Sequence, residues 1–249
     1  MRKKRVIIGA TSAIAEQCAR LWVSDAAELT LVGRDLARLE RQAADLRVRN
    51  PAVVIRVLTV DFMDASAISS LAEDVVQRSE GGIDSVLIAH GSLPDQGSCE
   101  KDLVACRVAL AINALSPVLF AEAFAGHFAV AGKGTLGLIG SVAGDRGRKS
   151  NYVYGAAKGL VDRYMEGLQH RFAASAVRAV LVKPGPTDTP MTAHLKAKGM
   201  KLADPGNVAS AIVSGMARGC AVVYAPAKWR LIMLVIRHLP RMVFNRMDI

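Results

Sequence analysis

Seven short runs of β-branched and aliphatic residues alternate with amphipathic or alanine-rich stretches along the whole chain, and this alternation restricts the fold more than any single motif does. The strand-like runs are 5–9, 29–33, 53–60, 85–89, 135–141, 178–183 and 222–224; helical patterns occupy 14–23, 36–48, 65–77, 103–131 and 154–174 between them. Strand, helix, strand in this many repetitions requires a parallel sheet covered by helices on both faces. No linker rich in Pro, Gly or Ser divides the 249 residues, and no internal repeat is visible. The expectation is one α/β domain over 1–249, a doubly wound parallel sheet of about seven strands.

Composition narrows what such a domain does. Hydrophobic residues make up 51% of the chain, which excludes a disordered polymer. The net charge of +10 is unevenly placed. Arg2, Lys3, Lys4 and Arg5 open the chain, and Lys228, Arg230, Arg237, Arg241 and Arg246 face only Asp248 near its end. The body between is nearly neutral, and aromatics are only 5%, so no nucleic-acid partner is expected. Cys18, Cys99, Cys106 and Cys220 are scattered without metal-ligand spacing, so neither a disulfide framework nor a metal site is expected. Arg2 to Arg5 before Val6-Ile7-Ile8-Gly9-Ala10 imitates a secretory signal, but the same residues fit a first strand and ligand turn. No apolar run is expected to reach the roughly 18 residues that span a bilayer. A cytoplasmic location follows from these expectations.

Open parallel sheets bind ligands beyond the carboxyl ends of their strands, with phosphates at the N-terminus of the first helix. Here the first strand runs into Gly9-Ala10-Thr11-Ser12-Ala13-Ile14-Ala15 and then a helix. Glycine suits the tight turn, and small residues suit close approach of a phosphate to backbone. After the second strand, Leu31-Val32-Gly33-Arg34-Asp35 places Gly33 where a carboxylate would grip a ribose 2′-hydroxyl. Arg34 follows, a guanidinium suited to a 2′-phosphate. NADP(H) is therefore expected ahead of NAD(H); the alternatives are that Arg34 is a solvated helix-start residue and that Asp35 supplies the acid.

Tyr154-Gly155-Ala156-Ala157-Lys158 puts a phenol and an ammonium one helical turn apart on one face. A neighbouring cation lowers the proton affinity of a phenol, as proton exchange with a carbonyl or alcohol requires. Ser141 lies thirteen residues earlier, at the end of the fifth strand-like run.

With these marks, Asp61 after the third strand, Asn113 in a long helix and Pro184-Gly185-Pro186-Thr187-Asp188-Thr189 after the sixth, the chain resembles the short-chain dehydrogenase/reductase family over its whole length. The resemblance implies a Rossmann-like fold and reduction of a ketone to a secondary alcohol. It implies that the tyrosine like Tyr154 donates the proton, the lysine like Lys158 binds the nicotinamide ribose and depresses the tyrosine pKa, and the serine like Ser141 hydrogen-bonds the carbonyl. The asparagine like Asn113 holds a proton-relaying water. Cofactor contacts are implied for Gly9, Thr11, Ser12, Ala13, Ile14, Gly33, Arg34, Asp61, Phe62, Ala89, His90, Gly91, Tyr154, Lys158, Pro184, Gly185, Thr187 and Thr189. Two departures stand out: Ile88-Ala89-His90-Gly91 replaces the family's Asn-Asn-Ala-Gly, and Ala13 and Ala15 stand where glycines are usual. His90 either fills space near the cofactor or enters the substrate pocket. Related enzymes pair their long helices, which implies a homodimer or homotetramer.

Beyond the catalytic helix, Ala143 to Arg148, Met191 to Lys196, Tyr224 to Ala227 and Arg237 to Arg241 resemble the reductases of decaprenylphosphoryl-2-keto-ribose. That implies a lipid-linked keto-sugar substrate and a flavin oxidase partner. Segment 227–249 mixes Trp229 and the apolar block Leu231 to Ile236 with Arg230, Arg237 and Arg241. Such a pattern suits a helix at an anionic membrane surface, a pocket cover or a subunit interface. Arg146, Arg148 and Lys149 are either phosphate contacts or solvated loop charges. Two other functions stay open from sequence: reduction of a keto-acyl or steroid-like ketone, and dinucleotide sensing without catalysis.

Overall fold

In a computed structural model that describes residues 3–197 and 199–247, seven strands form one parallel sheet in the order β3-β2-β1-β4-β5-β6-β7. The strands are β1 (Lys3–Ile8), β2 (Ala26–Gly33), β3 (Val54–Thr59), β4 (Ser85–Ile88), β5 (Lys133–Ile139), β6 (Ala176–Pro184) and β7 (Val222–Ala225). The main helices are α1 (Ala13–Trp22), α2 (Leu36–Arg49), α3 (Ala65–Arg78), α4 (Gln96–Lys101), α5 (Leu103–Leu110), α6 (Ser116–Ala131) and α7 (Tyr152–Arg171). They are followed by α8 (Ala193–Ala197), α9 (Pro205–Ala217), α10 (Lys228–His238) and α11 (Arg241–Phe244).

Strand periodicity decides which helices go where. Val6 and Ile8 of β1 pack on one face with α3, α6 and α7, whereas Ile7 packs on the other with α1, α2 and α9. The chain leaves β1 toward β2 and β3, then returns to lay β4 on the other side of β1. That reversal is the switch point where open sheets leave a crevice, and it makes the fold Rossmann-like.

Six of the seven expected strands differ from the observed ones by one or two residues at an end; the seventh, β2, begins three residues earlier, at Ala26. The expected helix over 154–174 spans Tyr152–Arg171, because Asn151 occupies its N-cap position. Among the described residues, α4, α8, α9 and α11 were not expected, whereas α10 lies where the apolar block of segment 227–249 suited a helix. The start of α9 is set by local chemistry, since Asp204 Oδ1 accepts from Asn207 N at 2.9 Å and Pro205 fills the first position.

One expectation is corrected. Leu103–Ala131 is continuous helix across 29 residues and contains an 18-residue stretch with a mean hydropathy of 1.9, so among the described residues one segment is, by length and composition, long and apolar enough to cross a membrane. Arg107, Glu122 and His127 interrupt the apolar run. Phe120, Phe124 and Phe128 of this helix fill the core beneath the sheet. Arg2 and Asp248, counted among the terminal charges, lie outside the described residues, as does the end of segment 227–249.

Candidate active site

A cavity of about 740 Å³ opens above the switch point. At one end lies the turn after β1. Gly9 has φ 75°, and a Cβ there would stand 2.7 Å from the His90 backbone nitrogen, so both conformation and space require glycine. Thr11, Ser12, Ala13 and Ile14 line the cavity where α1 begins, at the positive end of its dipole. Ser12 also caps α1, its Oγ accepting from Ala15 N at 3.2 Å. Arg34, Asp35 and Arg38 complete this wall. Asp35 is the N-cap of α2, accepting from Arg38 N at 3.0 Å, while Arg38 donates to the Thr11 carbonyl at 2.9 Å.

The middle of the cavity is aromatic and buried. His90 meets Phe62 edge-on with ring centroids 4.5 Å apart, and Phe120 at 5.5 Å. Its Nε2 lies 2.9 Å from Ser116 Oγ, and its Nδ1 is closed to solvent with no partner. Burial, with Lys158 and Arg34 nearby, pushes the His90 pKa down to about 3, so the ring is neutral. An orphaned ring nitrogen beside a glycine-lined turn and a helix N-terminus fits a dinucleotide lying along this cavity. Ala89, Gly91, Gly33, Pro184, Gly185, Thr187 and Thr189 line it as expected.

At the other end Ser141, Tyr154 and Lys158 converge. Ser141 leaves β5 into a 3₁₀ turn (Val142–Asp145) and accepts from Ala143 N at 3.1 Å. Tyr154 and Lys158 project from one face of α7, the ammonium 5.8 Å from the phenol ring centroid. Burial raises the Tyr154 pKa, and the Ser141 hydroxyl opposes that by favouring the phenolate. Lys158 is 3% exposed and donates to the Ile139 carbonyl at 3.0 Å. Burial pushes its pKa down to about 8 against the pull of Asp162 one turn on. An acid, a hydroxyl donor and a buried cation at the mouth of a dinucleotide crevice can together protonate a developing alkoxide.

Residues 3–199 match the short chain dehydrogenase family. The chain belongs to that family. An uncharacterized oxidoreductase of Streptomyces coelicolor is 32% identical over 244 residues, 97% of this chain and 94% of that protein. Another, from Mycobacterium tuberculosis, is 31% identical over 242 residues, 97% of this chain and 96% of the relative. Among solved structures, a short-chain type dehydrogenase/reductase from Mycobacterium ulcerans superposes with a TM-score of 0.80 at 18% identity, covering 99% of this chain and 98% of the other. A short-chain dehydrogenase from Sphingobium yanoikuyae in complex with NADPH gives 0.81 at 22%, covering 98% and 96%. These likenesses show the fold, and the family is one of NAD(P)H-binding oxidoreductases.

Two of the expected residues of this short-chain dehydrogenase are not on the cavity wall. Asp61 is exposed, its Oδ1 accepting from Met63 N at 2.8 Å, while the next residue, Phe62, turns inward. Asn113 is fully buried behind Gly91, where a Cβ would be 3.0 Å from Asn113 Oδ1. That oxygen accepts from Ser92 N at 2.9 Å, and Nδ2 donates to the Ala109 carbonyl at 2.9 Å. The asparagine sits in a π-helical turn, Ala111–Leu115, that joins α5 to α6.

The loop arginines separate. Arg146 reaches the C-terminus of α10, donating to the Ile236 carbonyl at 2.5 Å and the Leu239 carbonyl at 2.8 Å, and stacks 3.7 Å from the Phe244 ring centroid. It is a helix cap, not a solvated charge. Arg148 lines the cavity instead, with Nη2 3.5 Å from Met233 Sδ and Nε without a partner. Sequence reasoning did not single out Arg38, Asn151 or Leu93, which also line it, while Met191 and Leu195 of the singled-out segment 191–196 line it too. Only Arg38 carried a signal, as a second cation one turn beyond Arg34.

Proposed function

We propose that this short-chain dehydrogenase reduces a ketone to a secondary alcohol with NADP(H). The observation that carries the reading is the convergence of Ser141, Tyr154 and Lys158 on one cavity wall, continuous with the Gly9 turn. The nicotinamide, when bound, supplies hydride to the carbonyl carbon. Ser141 donates a hydrogen bond to the carbonyl oxygen, Tyr154 delivers a proton to that oxygen, and the Lys158 ammonium lowers the phenol's proton affinity. Arg34 and Arg38 favour a 2′-phosphate, and Asp35 is engaged in capping rather than free to grip a 2′-hydroxyl. Oxidation of NADPH over a ketone panel tests the reaction. No turnover with any ketone, or undiminished turnover by Tyr154→Phe, sinks it.

The substrate we propose is a 2-keto sugar carried on a polyprenyl phosphate, made available by a flavin oxidase. Arg148 in the cavity wall and the mixed surface of α10 support it. Trp229 and Met233 face inward on α10, while Leu231, Leu234 and Val235 are exposed among Arg230, Arg237 and Arg241. That face suits an anionic membrane surface, where each basic residue contributes on the order of 1 kcal/mol. Sedimentation with anionic and neutral vesicles, comparing wild type with Leu231→Glu/Leu234→Glu, tests it; equal binding removes the membrane contact. The exposed apolar row Leu103, Val104, Val108 and Leu115 supports pairing of the long helices between subunits, and light scattering of Val104→Glu/Val108→Glu reads it.

A further inference from the structure

Beneath the cavity lies a buried ionic cluster that the proposed chemistry does not use. Lys183 on β6 bonds to Asp162 Oδ2 on α7 at 2.8 Å and to Asp145 Oδ1 in the loop after Ser141. The Tyr224 hydroxyl of β7 donates to Asp145 Oδ2 at 3.0 Å. The register of the sheet sets this up, because Lys183 and Tyr224 are directly paired across β6 and β7. All three charged side chains are closed off, at 1%, 3% and 7% exposure for Asp145, Asp162 and Lys183. Asp162 Oδ1 has no hydrogen-bond partner among the described residues.

The cluster fastens together three of the segments that supply the candidate site: the loop after Ser141, the Tyr154–Lys158 helix and the end of β6. Asp145 is four residues after Ser141; Asp162 is one turn beyond Lys158; Lys183 immediately precedes Pro184 and Gly185. Gly144 allows the loop to press on the helix: a Cβ there would lie 2.8 Å from both Asp162 Oδ2 and the Lys158 carbonyl carbon. Two carboxylates against one ammonium also leave the cluster with excess negative charge in a place where desolvation is costly. A buried ion pair is a poor stabilising device even when balanced, since apolar residues of similar volume often do as well. The imbalance has an evident recipient. Among the described residues Lys158 hydrogen-bonds only a neutral carbonyl, and Asp162 is the carboxylate that acts on it.

We propose that Asp145, Asp162 and Lys183 are positioning residues of the reaction. The cluster locks the Ser141 loop against the Tyr154–Lys158 face of α7, and its excess negative charge keeps the Lys158 ammonium protonated. This rests on Tyr154 and Lys158 acting as proposed above. The other charged or titratable groups around the pair are Tyr154 and Arg163 on α7 and His90 at the end of β4, which is neutral. Asp162→Asn keeps the shape and the Lys183 contact while removing charge.

The test uses the full chain, with the Lys158 midpoint read by NMR titration of its side-chain signal, assigned by loss in Lys158→Met. Asp162→Asn is expected to lower that midpoint by about one pH unit, and to move the lysine-linked limb of the kcat profile the same way, with KM for ketone within about twofold. Lys183→Arg is expected to keep kcat near wild type, whereas Lys183→Met loses about tenfold. Tyr224→Phe, which leaves all charges in place, is the check should Lys183→Met fail to fold: it loosens the Asp145 contact and lowers kcat a few-fold without moving the Lys158 midpoint. An unmoved Lys158 midpoint and wild-type kcat in folded Asp162→Asn overturn the cluster's role. Undiminished turnover by Tyr154→Phe instead breaks the catalytic reading, so the two failures are distinct.

Discussion

Lys158 and Lys183 are equally hidden, at 3% and 6% exposure, yet they live in opposite electrostatic settings. Lys183 is held between two aspartates, which raise its pKa against burial. Lys158 has one hydrogen bond, to a backbone carbonyl, and burial pushes its pKa down to about 8. The difference teaches that burial alone does not say what a charged residue is for. The lysine whose bonds are satisfied within the fold ties its segments together; the one left electrostatically short, in a cavity wall, is the candidate for a functional role.

The largest effect is expected where Lys158 meets its neighbour. Removing the phenol hydroxyl in Tyr154→Phe takes away the proposed proton donor while leaving Lys158, the Gly9 turn and the sheet intact. Proton transfer of this kind contributes about 10²–10⁴-fold, so kcat should fall by that factor with cofactor affinity, read by NADPH fluorescence, within about twofold. Weakened cofactor binding with unchanged kcat would assign Tyr154 to binding instead.

Swapping each lysine for methionine breaks the comparison directly. Lys183→Met strands two buried carboxylates, and uncompensated buried charge costs about 3–5 kcal/mol. Lys158→Met removes an ammonium that burial already disfavours, so its unfolding free energy should stay within about 1 kcal/mol of wild type or exceed it. Urea unfolding of the two variants reads the contrast, and equal losses would show that both lysines are structural.

The contrast between these residues was only half legible in the sequence. The sheet, its order of elements and the cavity end marked by Ser141, Tyr154 and Lys158 were readable, because periodicity and short-range spacing encode them. Lys183 was passed over as the last residue of a strand, since its partners at 145 and 162 are distant in the chain and only the β6–β7 register and the turn of α7 bring them in. Arg146 and Arg148 looked alike for the same reason: one caps α10, some ninety residues on, and the other faces the cavity. Asp61 and Phe62 were both assigned to the cofactor by the family resemblance; the chain turns after β3 so that Phe62 lines the cavity and the Asp61 side chain does not.

Titration sharpens the comparison further. Between about pH 8 and pH 10.5 the unfolded chain holds the Lys158 proton and the folded one does not. Stability therefore rises with pH across that window, and the group disfavours the fold below it. Lys183, its pKa raised above 10.5, has the opposite sign: its contribution is present below that value and is lost as pH rises past its folded pKa. Chemical denaturation at pH 7.5 and 9.5 should show a gain in wild type that Lys158→Met lacks. A gain of the same size in the variant would place the titration on another group.

Cations at the far end of the cavity extend the contrast to solvent-exposed charge. Arg34 lies 5.9 Å from the Phe62 ring centroid, and Arg38 donates to the Thr11 carbonyl; both are exposed, and neither has a carboxylate bonded to its guanidinium among the described residues. Because water screens them, their absence costs the fold little. What they offer is two forked donors for a phosphate beside a turn whose third member, Asp35, is spent on capping α2. Arg34→Ala and Arg38→Ala should each raise the KM for NADPH about tenfold, as expected for one screened charge-assisted contact. The KM for NADH should stay within about twofold, since that cofactor presents no 2′-phosphate to either residue. Tighter use of NADH than of NADPH by the wild-type enzyme would sink the preference, and would mean that these arginines serve the surface as Lys183 serves the core.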